Sequence, residues 1–227
     1  MADTAAEPQT EGRSARKRRV ILDAATSVFL EHGYVAASMD QVAALASVSK
    51  QTVYKHFTDK EALFAEILQG TASRADDLEH VVALALSGSE DVVQDLTQVA
   101  RGLLTLLAQP EVRQVRRLVI GEAGRFPDLG RAWYEGAFLR GMAALTGCFE
   151  ELSRQGHLTV DDPKMAANHF AGLVLWAPVN RFMLCGDDEV ITPEEIDEFA
   201  TAGVRTFLAA FGVHGYEGPA GVPAASG

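Results

Sequence analysis

The sequence contains, at residues 38–64, the stretch SMDQVAALASVSKQTVYKHFTDKEALF, which decides the fold. Ser38 and Gln41 have the spacing of a capping box, in which two side chains satisfy free backbone groups at the start of a helix. A turn of three residues follows at 47–49, and its last residue, Ser49, is a suitable N-cap for a second helix. The stretch therefore predicts two short helices joined by a tight turn.

The second short helix has one apolar side and one polar side. Val53 and Phe57 lie one turn apart and are expected to face inward. Gln51, Thr52 and Lys55 then point outward, where they can donate and accept hydrogen bonds at base edges in a DNA major groove. Two short helices with this turn, packed on a third helix, are the pattern of a helix-turn-helix. The alternative is a plain corner of two helices with a polar outer side.

Helical patterns flank this stretch on both sides. Apolar residues at helical spacing predict a first helix from about Arg16 to His32, with Gly33 at its C-cap. Thr58 and Glu61 repeat the capping-box spacing and predict the start of a long helix. The two short helices thus lie between two longer ones.

Charge is distributed unevenly along the 227 residues, whose net charge is -11. Residues 13–60 hold eight Lys and Arg against four Asp and Glu, a net charge of +4, whereas residues 61–227 hold twelve against twenty-four, a net charge of -12. A polyanion would be attracted by the first part and repelled by the second. For the basic cluster at 13–19, a solvated arm without a partner is the alternative.

A longer run, residues 29–64, reads FLEHGYVAASMDQVAALASVSKQTVYKHFTDKEALF. It resembles the N-terminal DNA-binding domain of the TetR family of one-component bacterial transcription regulators. The matching positions are Phe29, Gly33, Tyr34, Ser38, Met39, Val42, Ala43, Val48, Ser49, Val53, Tyr54, Phe57 and 60–64. The family usually has Gly in the turn where this chain has Ser47, so a left-handed backbone there would cost about 1 to 2 kcal/mol.

The resemblance implies which side chains contact operator DNA. The phenol of Tyr54, the imidazole of His56 and the ammonium groups of Lys50 and Lys60 suit phosphate oxygens, which fix the register of a protein on DNA. The side chains expected to contact DNA are Ser38, Ser49, Lys50, Gln51, Thr52, Tyr54, Lys55, His56 and Lys60, together with Arg16 and Lys17 of the basic arm.

The remaining sequence is helical in pattern, and the chain is predicted to be all-α, with about nine helices. Pro127, Pro163 and Pro193 have the positions of first-turn prolines, whereas Pro178 interrupts a helical pattern and should kink the helix. With the resemblance, we expect a disordered arm at 1–12, a three-helix helix-turn-helix domain at 13–60, a helical ligand-binding and dimerisation domain at 61–213, and a disordered tail at 214–227.

The resemblance also implies a ligand cavity in the second domain. Its candidate lining residues are Phe126, Trp133, Tyr134, Phe138, Met142, His169, Trp176 and Arg181, with Phe149, Phe170, Phe182 and Met183 in a wider set. Large, partly amphipathic groups on adjacent helices suit a mostly apolar pocket. Plain core or dimer interface is the alternative for each of them, and His169 is expected to be a core histidine. Arg140 and Arg181 could hold an anionic group or pair with the abundant carboxylates.

Catalytic and metal-binding motifs are absent from the sequence. It has no Gly-rich phosphate loop, HExxH or CxxC pair, or nucleophile elbow, so we expect no enzyme activity, no metal and no cofactor. Cys148 and Cys185 match no redox spacing and are expected to be buried structural thiols, with oxidation sensing as the alternative. No apolar run reaches about 18 residues and no export leader is present, so we expect a cytoplasmic protein without a membrane partner.

Together, the motif, the charge and the resemblance predict a DNA-binding transcriptional regulator. We expect a homodimeric repressor, joined through its C-terminal helices, that a largely apolar small-molecule effector releases from a pseudo-palindromic operator. Three alternatives stay open at this point: a TetR-like activator, a nonspecific DNA-binding protein, and a helical ligand-binding protein that does not use DNA. The acidic second domain argues against nonspecific coating of DNA.

Overall fold

The computed structural model of the protein describes residues 12–72, Val82, 91–186 and 190–213. The two predicted disordered segments fall outside these residues, apart from Gly12. The chain divides into two compact units, residues 1–70 and residues 71–227. The division therefore lies later in the chain than the expected boundary at 60.

The first unit contains α1 (Arg13–Ala36), α2 (Met39–Leu45), α3 (Lys50–His56) and the start of α4 (Lys60–Ala72). The predicted order of a long helix, two short helices and a second long helix is confirmed. α1 is interrupted at Gly33, whose φ is 73°, a backbone conformation that glycine adopts because it has no Cβ. The predicted glycine break is present, and a short helical stretch follows it to Ala36.

An aromatic cluster holds the first unit together. Phe29 of α1 stacks on Tyr34 with ring centroids 5.7 Å apart, and Phe64 of α4 contacts these two rings at 5.1 and 4.9 Å. Val53 and Phe57 are buried as well, as the sequence predicted. α3 is therefore anchored through one side, and the opposite side faces solvent.

The second unit contains α5 (Val92–Ala108), α6 (Pro110–Glu122), α7 (Pro127–Trp133), a π-helical segment (Tyr134–Leu139), α8 (Arg140–Arg154), α9 (Pro163–Leu184) and α10 (Pro193–Phe211). α7, the π-helical segment and α8 form one continuous run, so the described residues contain nine helical runs, as predicted. Within those residues, β-structure is limited to one isolated bridge between Leu158 and Gly212. The fold is all-α.

Prolines begin several helices of the second unit. Pro127, Pro163 and Pro193 lie in the first turns of their helices, as predicted, where the missing N–H removes no helical hydrogen bond. α9 continues through Pro178 from Pro163 to Leu184. Since Pro178 has no N–H to donate to the carbonyl of Val174, the kink expected at this position stays a prediction.

The core of the second unit is built around three phenylalanines from different helices. Phe149 of α8, Phe170 of α9 and Phe207 of α10 lie with ring centroids 4.9 to 5.4 Å apart. α9 and α10 approach each other closely at Gly203, which has no side chain. A Cβ built there would lie only 2.7 Å from Cγ2 of Val174. This packing fixes α9, which also forms a wall of the cavity described below.

Candidate nucleic-acid interface and ligand cavity

Hydroxyl caps shape the two short helices. The backbone N–H of Gln41 donates to Oγ of Ser38 at 3.3 Å, and the N–H of Ser38 donates to Oε1 of Gln41 at 2.8 Å. At the start of α3, the N–H of Thr52 donates to Oγ of Ser49 at 3.2 Å. The two predicted caps are confirmed, and Ser38 and Ser49 are both exposed.

The start of α4 differs from the prediction. Oδ1 of Asp59 accepts a hydrogen bond from the backbone N–H of Ala62 at 2.7 Å, and the hydroxyl of Thr58 donates to Asp59 instead of capping the helix. The predicted capping box of Thr58 with Glu61 is therefore wrong. Two neighbouring residues both carry capping side chains, and the charged carboxylate is the stronger acceptor.

The turn between the two short helices has a strained residue. Ser47 has a φ of 53°, and among the described residues it is the one non-glycine with a positive φ. The N–H groups of the turn donate back to α2, from Ser47 to Ala44 at 3.2 Å and from Val48 to Ala43 at 3.0 Å. A left-handed residue is therefore needed to close the turn, as expected for the position where related sequences have Gly.

One face of α3, which we call the reading face, consists of Gln51, Thr52, Tyr54 and Lys55. Gln51, Tyr54 and Lys55 are exposed, and 45% of Tyr54 is accessible to solvent. Thr52 is half-buried, and its hydroxyl lies 2.8 Å from that of Ser49. The face offers amide, hydroxyl, phenol and ammonium groups together, a set that can bond both base edges and phosphates.

The predicted cations around the reading face differ in their surroundings. Lys50 pairs with Asp40, its Nζ lying 2.7 Å from Oδ1, and both side chains are exposed. The hydrogen bond that Lys50 donates to the Asp40 carboxylate raises the pKa of Lys50, so the amine stays charged at neutral pH. Arg16 and Lys17 are exposed near the start of α1. His56 is half-buried at the end of α3, beside the ring of Phe57.

Lys60 has a role inside the first unit. Its Nζ donates to the carbonyls of Tyr34, Val35 and Ala37 at 2.7, 3.2 and 3.1 Å, and it lies 4.5 Å from the centroid of the Tyr34 ring. All three ammonium protons are thus used at the end of α1. Lys60 therefore differs from the side chains of the reading face. Its ammonium group bonds carbonyls that come close to it only in the folded unit.

A cavity of about 620 Å³ lies within the second unit. Its walls are mostly apolar and come from α5, α6, the run from α7 to α8, and α9. The lining residues are Leu103, Leu106, Leu107, Val112, Arg116, Ile120, Trp133, Ala137, Phe138, Gly141, Met142, Leu145, Asn168, Ala171, Gly172, Leu175, Trp176, Val179, Asn180 and Met183. Its size and composition are those of pockets that hold small organic molecules.

The structure brings some of the predicted lining residues together in this cavity. Those that line it are Trp133, Phe138, Met142, Trp176 and Met183. Those outside its lining are Phe126, Tyr134, Phe149, His169, Phe170, Arg181 and Phe182. Phe149, Phe170 and Phe182 are buried in the core, which was the alternative for each of them.

The polar candidates outside the cavity have other partners. Arg181 donates to both carboxylate oxygens of Glu195 at 2.8 and 3.0 Å, and this contact, with the cap at Thr192, lowers the pKa of Glu195 to about 2. His169 is exposed and stacks on Phe211, so the expectation of a core histidine was wrong. Its ring covers an apolar side chain at the edge of α10 instead.

Arg116 is a lining residue that the sequence analysis missed. It lies on α6 between Val112 and Ile120, at i, i+4 and i+8, so one cation shares a helix face with two apolar residues. A charged residue within an apolar stripe could therefore have identified Arg116 as a lining residue from the sequence. Its guanidinium carbon lies 5.6 Å from the centroid of the Trp133 ring. Burial lowers the pKa of Arg116, yet an arginine stays protonated at neutral pH.

The two cysteines have different surroundings. Cys148 is buried, and its burial raises the pKa of the thiol to about 12, so the reactive thiolate is not formed at neutral pH. Cys185 is exposed. The expectation of two buried thiols was therefore wrong for Cys185, which lies at the end of α9, just after its last buried turn.

The described residues form neither a metal cluster nor a membrane-spanning helix. No three His, Cys, Asp or Glu side chains lie together there as a metal site would require. Among the helices of the described ranges, none is both long enough and apolar enough to cross a membrane.

A helix-turn-helix with an exposed reading face, followed by a helical unit with a cavity, is the architecture of a one-component transcriptional regulator. The chain belongs to the TetR family. Residues 21–67 match the profile described as "Bacterial regulatory proteins, tetR family", and residues 94–213 match that described as "AefR-like transcriptional repressor, C-terminal domain". The first match lies within the first compact unit and the second match within the second.

Solved structures and curated proteins agree with this assignment. A TetR-family transcriptional regulator from Mesorhizobium loti MAFF303099 superposes with a TM-score of 0.82 at 44% identity, covering 89% of this chain and 100% of that chain. The "Flavonoid-responsive Regulator FrrA" has a TM-score of 0.70 at 33% identity, covering 88% and 98%. The "HTH-type transcriptional repressor Rv1474c" of Mycobacterium tuberculosis is 29% identical over 126 residues, 56% of this chain and 61% of that protein. The chain spans between 28% and 61% of the length of the first curated relatives it matches.

Proposed function

We propose that the protein is a homodimeric transcriptional repressor of the bacterial cytoplasm, where it binds a pseudo-palindromic DNA operator and is released by a small-molecule effector. The observation that carries the proposal is the reading face of α3. Val53 and Phe57 anchor this helix from behind, and Ser49 caps its start. An exposed, polar helix within a segment of net positive charge, residues 13–60, is suited to the major groove.

Each group around the reading face has a role in the proposed complex. Gln51, Thr52 and Lys55 contact base edges, and Tyr54 contacts a phosphate or a base. Ser38, Ser49 and His56 lie beside them and contact the DNA backbone. Lys50 exchanges its exposed partner Asp40 for a phosphate, and Arg16 and Lys17 add charge to the same surface. Lys60, whose protons are bonded to carbonyls, takes no part.

The proposed dimer uses α9 and α10. α9 buries one side in the core and leaves other apolar side chains exposed, among them Met165, Leu173, Trp176 and Leu184, of which Trp176 is 74% accessible. Exposed apolar groups on one surface are typical of an association site. A two-fold dimer places its two reading helices about 34 to 36 Å apart, in successive major grooves.

The proposed effector site is the cavity of the second unit. Its volume and apolar walls suit a small organic molecule. The name of the similar flavonoid-responsive regulator supports control by such a molecule. The repressor sign is supported by the description of the second matched domain and by the name of the Mycobacterium tuberculosis relative.

The test is selection of DNA fragments from a random duplex library by the purified protein, refolded from denaturant to remove bound small molecules. Tyr54→Ala is compared with Tyr134→Ala, because the two tyrosines have similar accessibility, 45% and 49%, but lie in different units. We expect a two-fold site for the wild type and for Tyr134→Ala, with loss of that site in Tyr54→Ala.

The other outcomes separate the alternatives. Equal recovery of all duplexes, with binding that depends on salt in the same way for each, would indicate a nonspecific DNA-binding protein. Recovery of no DNA by the refolded wild type would indicate a ligand-binding protein that does not use DNA. Either result would contradict the proposal.

A further inference from the structure

We infer that the cavity of the second unit binds an apolar carboxylic acid, and that Arg116 receives the carboxylate. The inference rests on the proposed function, because it names the chemical class of the effector at the same site. It is carried by an uncompensated positive charge at one end of an otherwise apolar cavity.

Arg116 differs from Arg117, which follows it on α6. Arg117 donates to the carbonyl of Phe182 at 3.0 Å. Arg116 contacts the ring of Trp133, but its Nε is buried and has no hydrogen-bond partner among the described residues. A partly buried cation in this state is costly, so the protein gains free energy when an anion arrives.

The absence of an internal partner is informative because carboxylates are abundant. The sequence after residue 60 has twenty-four Asp and Glu, and other arginines of the second unit use them, as Arg181 does with Glu195 and Arg101 does with Asp197. Within the described part of the chain, no carboxylate forms an ion pair with Arg116. The guanidinium instead lines the cavity.

A second buried donor lies at the same end of the cavity. Nε1 of Trp133 is buried and has no hydrogen-bond partner among the described residues, and the indole ring lies next to the guanidinium of Arg116. An indole and a guanidinium can donate hydrogen bonds but cannot accept them. The potential at this end is therefore positive, which favours an anionic acceptor and disfavours an amine. The planar guanidinium fits the two oxygens of a carboxylate.

The remaining polar groups of the lining do not compete for the carboxylate. Nδ2 of Asn168 donates to the carbonyl of Lys164 at 2.8 Å, and Nδ2 of Asn180 donates to that of Trp176 at 2.7 Å. Each amide thus uses one of its two protons within α9, and a neutral amide attracts a carboxylate less strongly than a guanidinium does. The other walls are apolar and include Leu103, Leu107, Met142, Leu175 and Val179, which suits the hydrocarbon or aromatic body of the acid.

The experiment measures binding to the protein without DNA. Titration calorimetry on the refolded protein compares 2-naphthoic acid with its methyl ester and decanoic acid with 1-decanol, at neutral pH. We expect at least one acid to bind ten or more times more tightly than its neutral counterpart. In Arg116→Met, which keeps an unbranched side chain but removes the charge, we expect the acid and the neutral compound to bind alike.

Two further variants are controls. Arg116→Lys keeps a positive charge and should retain part of the preference for the acid. Arg131→Met makes the same change at an exposed position outside the cavity lining and should leave the preference unchanged. Unfolding temperatures confirm that each variant is folded. The inference is wrong if no acid binds more tightly than its neutral counterpart, or if Arg116→Met keeps the preference.

Failure of this inference and failure of the proposed function give different results. Release of operator DNA by neutral compounds alone, with no preference for acids, would overturn the inference and leave the proposed repressor intact. An acid that binds through Arg116 but never changes DNA binding would support the inference and contradict the effector role of the cavity.

Discussion

Ser47 closes the turn of the helix-turn-helix in a backbone conformation that suits glycine better than serine. The resemblance marked this residue as a usual glycine position but left its conformation open, and its φ of 53° shows that the backbone is left-handed there. Local signals of this kind predicted the caps at Ser38 and Ser49 as well. They failed at Thr58, because neighbouring Asp59 could cap α4 equally well by sequence and only the folded backbone decides between the two.

Replacing Ser47 with Gly should stabilise the first unit by about 1 kcal/mol, because the cost of a left-handed Cβ is removed. Ser47→Ala keeps the Cβ and should give no such gain. Amide hydrogen exchange of peptides from residues 38–57 measures the change in this unit alone. Equal effects of Gly and Ala would show that the turn is unstrained.

Lys60 was expected to contact DNA but bonds three carbonyls at the end of α1. The sequence could not predict this contact, since residues 34–37 and Lys60 meet only through the tertiary fold. Lys60→Met should destabilise the first unit by about 1 to 3 kcal/mol, because it leaves these carbonyls without their donor. Hydrogen exchange of the first unit measures the loss.

The control for Lys60→Met is Lys50→Met, which removes an exposed ion pair with Asp40. This pair contributes about 1 kcal/mol or less to stability, so exchange protection should hardly change. Affinity for the operator should fall, and the slope of the logarithm of affinity against the logarithm of salt concentration should decrease by about one. A Lys60 variant with wild-type protection would contradict the structural role of this ammonium.

At the scale of helices, the sequence predicted the order of elements and the prolines that begin them, since both depend on local chemistry. It did not predict which aromatic residues meet in the cavity. Tyr134–Leu139 is π-helical, so the residues that follow it are rotated relative to the pattern of a regular α-helix. Trp133 and Phe138, five residues apart, consequently share the cavity lining, whereas Tyr134 lies outside it.

The contact between α9 and α10 should depend on Gly203. A Cβ at this position would lie 2.7 Å from Cγ2 of Val174, so Gly203→Ala should destabilise the second unit by about 1 to 3 kcal/mol. In a Val174→Ala background the added methyl has room, and its cost should fall by about 1 kcal/mol or more. Urea denaturation followed by tryptophan fluorescence measures both, since Trp133 and Trp176 lie in this unit.

Gly147→Ala is the control for this experiment. Gly147 is exposed on α8 and has nothing within 4 Å of a built Cβ. Its replacement should stabilise the helix by about 0.5 to 1 kcal/mol, because alanine favours helices. A cost at Gly203 that is the same in both backgrounds would show that Val174 does not set the spacing of α9 and α10.

At the scale of the whole molecule, the basic segment of the sequence, residues 13–60, lies within the helix-turn-helix unit. Residues 71–227, which form the unit with the cavity, hold twelve Lys and Arg against twenty-two Asp and Glu. The family and the fold class could be predicted because they depend on a short, dense motif. The chemical class of the cavity's occupant could not be predicted from the sequence, since Arg116 and Trp133 are 17 positions apart and meet only in the folded unit.

The most direct test of the central claim is the affinity of the proposed dimer for its selected two-fold site, measured by fluorescence anisotropy at near-physiological salt. The competitor is the same duplex with one half-site scrambled, and Gln51→Ala serves as the variant of the reading face. We predict about 10³-fold or greater preference for the intact site, and a loss of about 1 to 3 kcal/mol in Gln51→Ala on the intact site only. Equal affinity for the two duplexes, unchanged by Gln51→Ala, would contradict a regulator that reads DNA through α3.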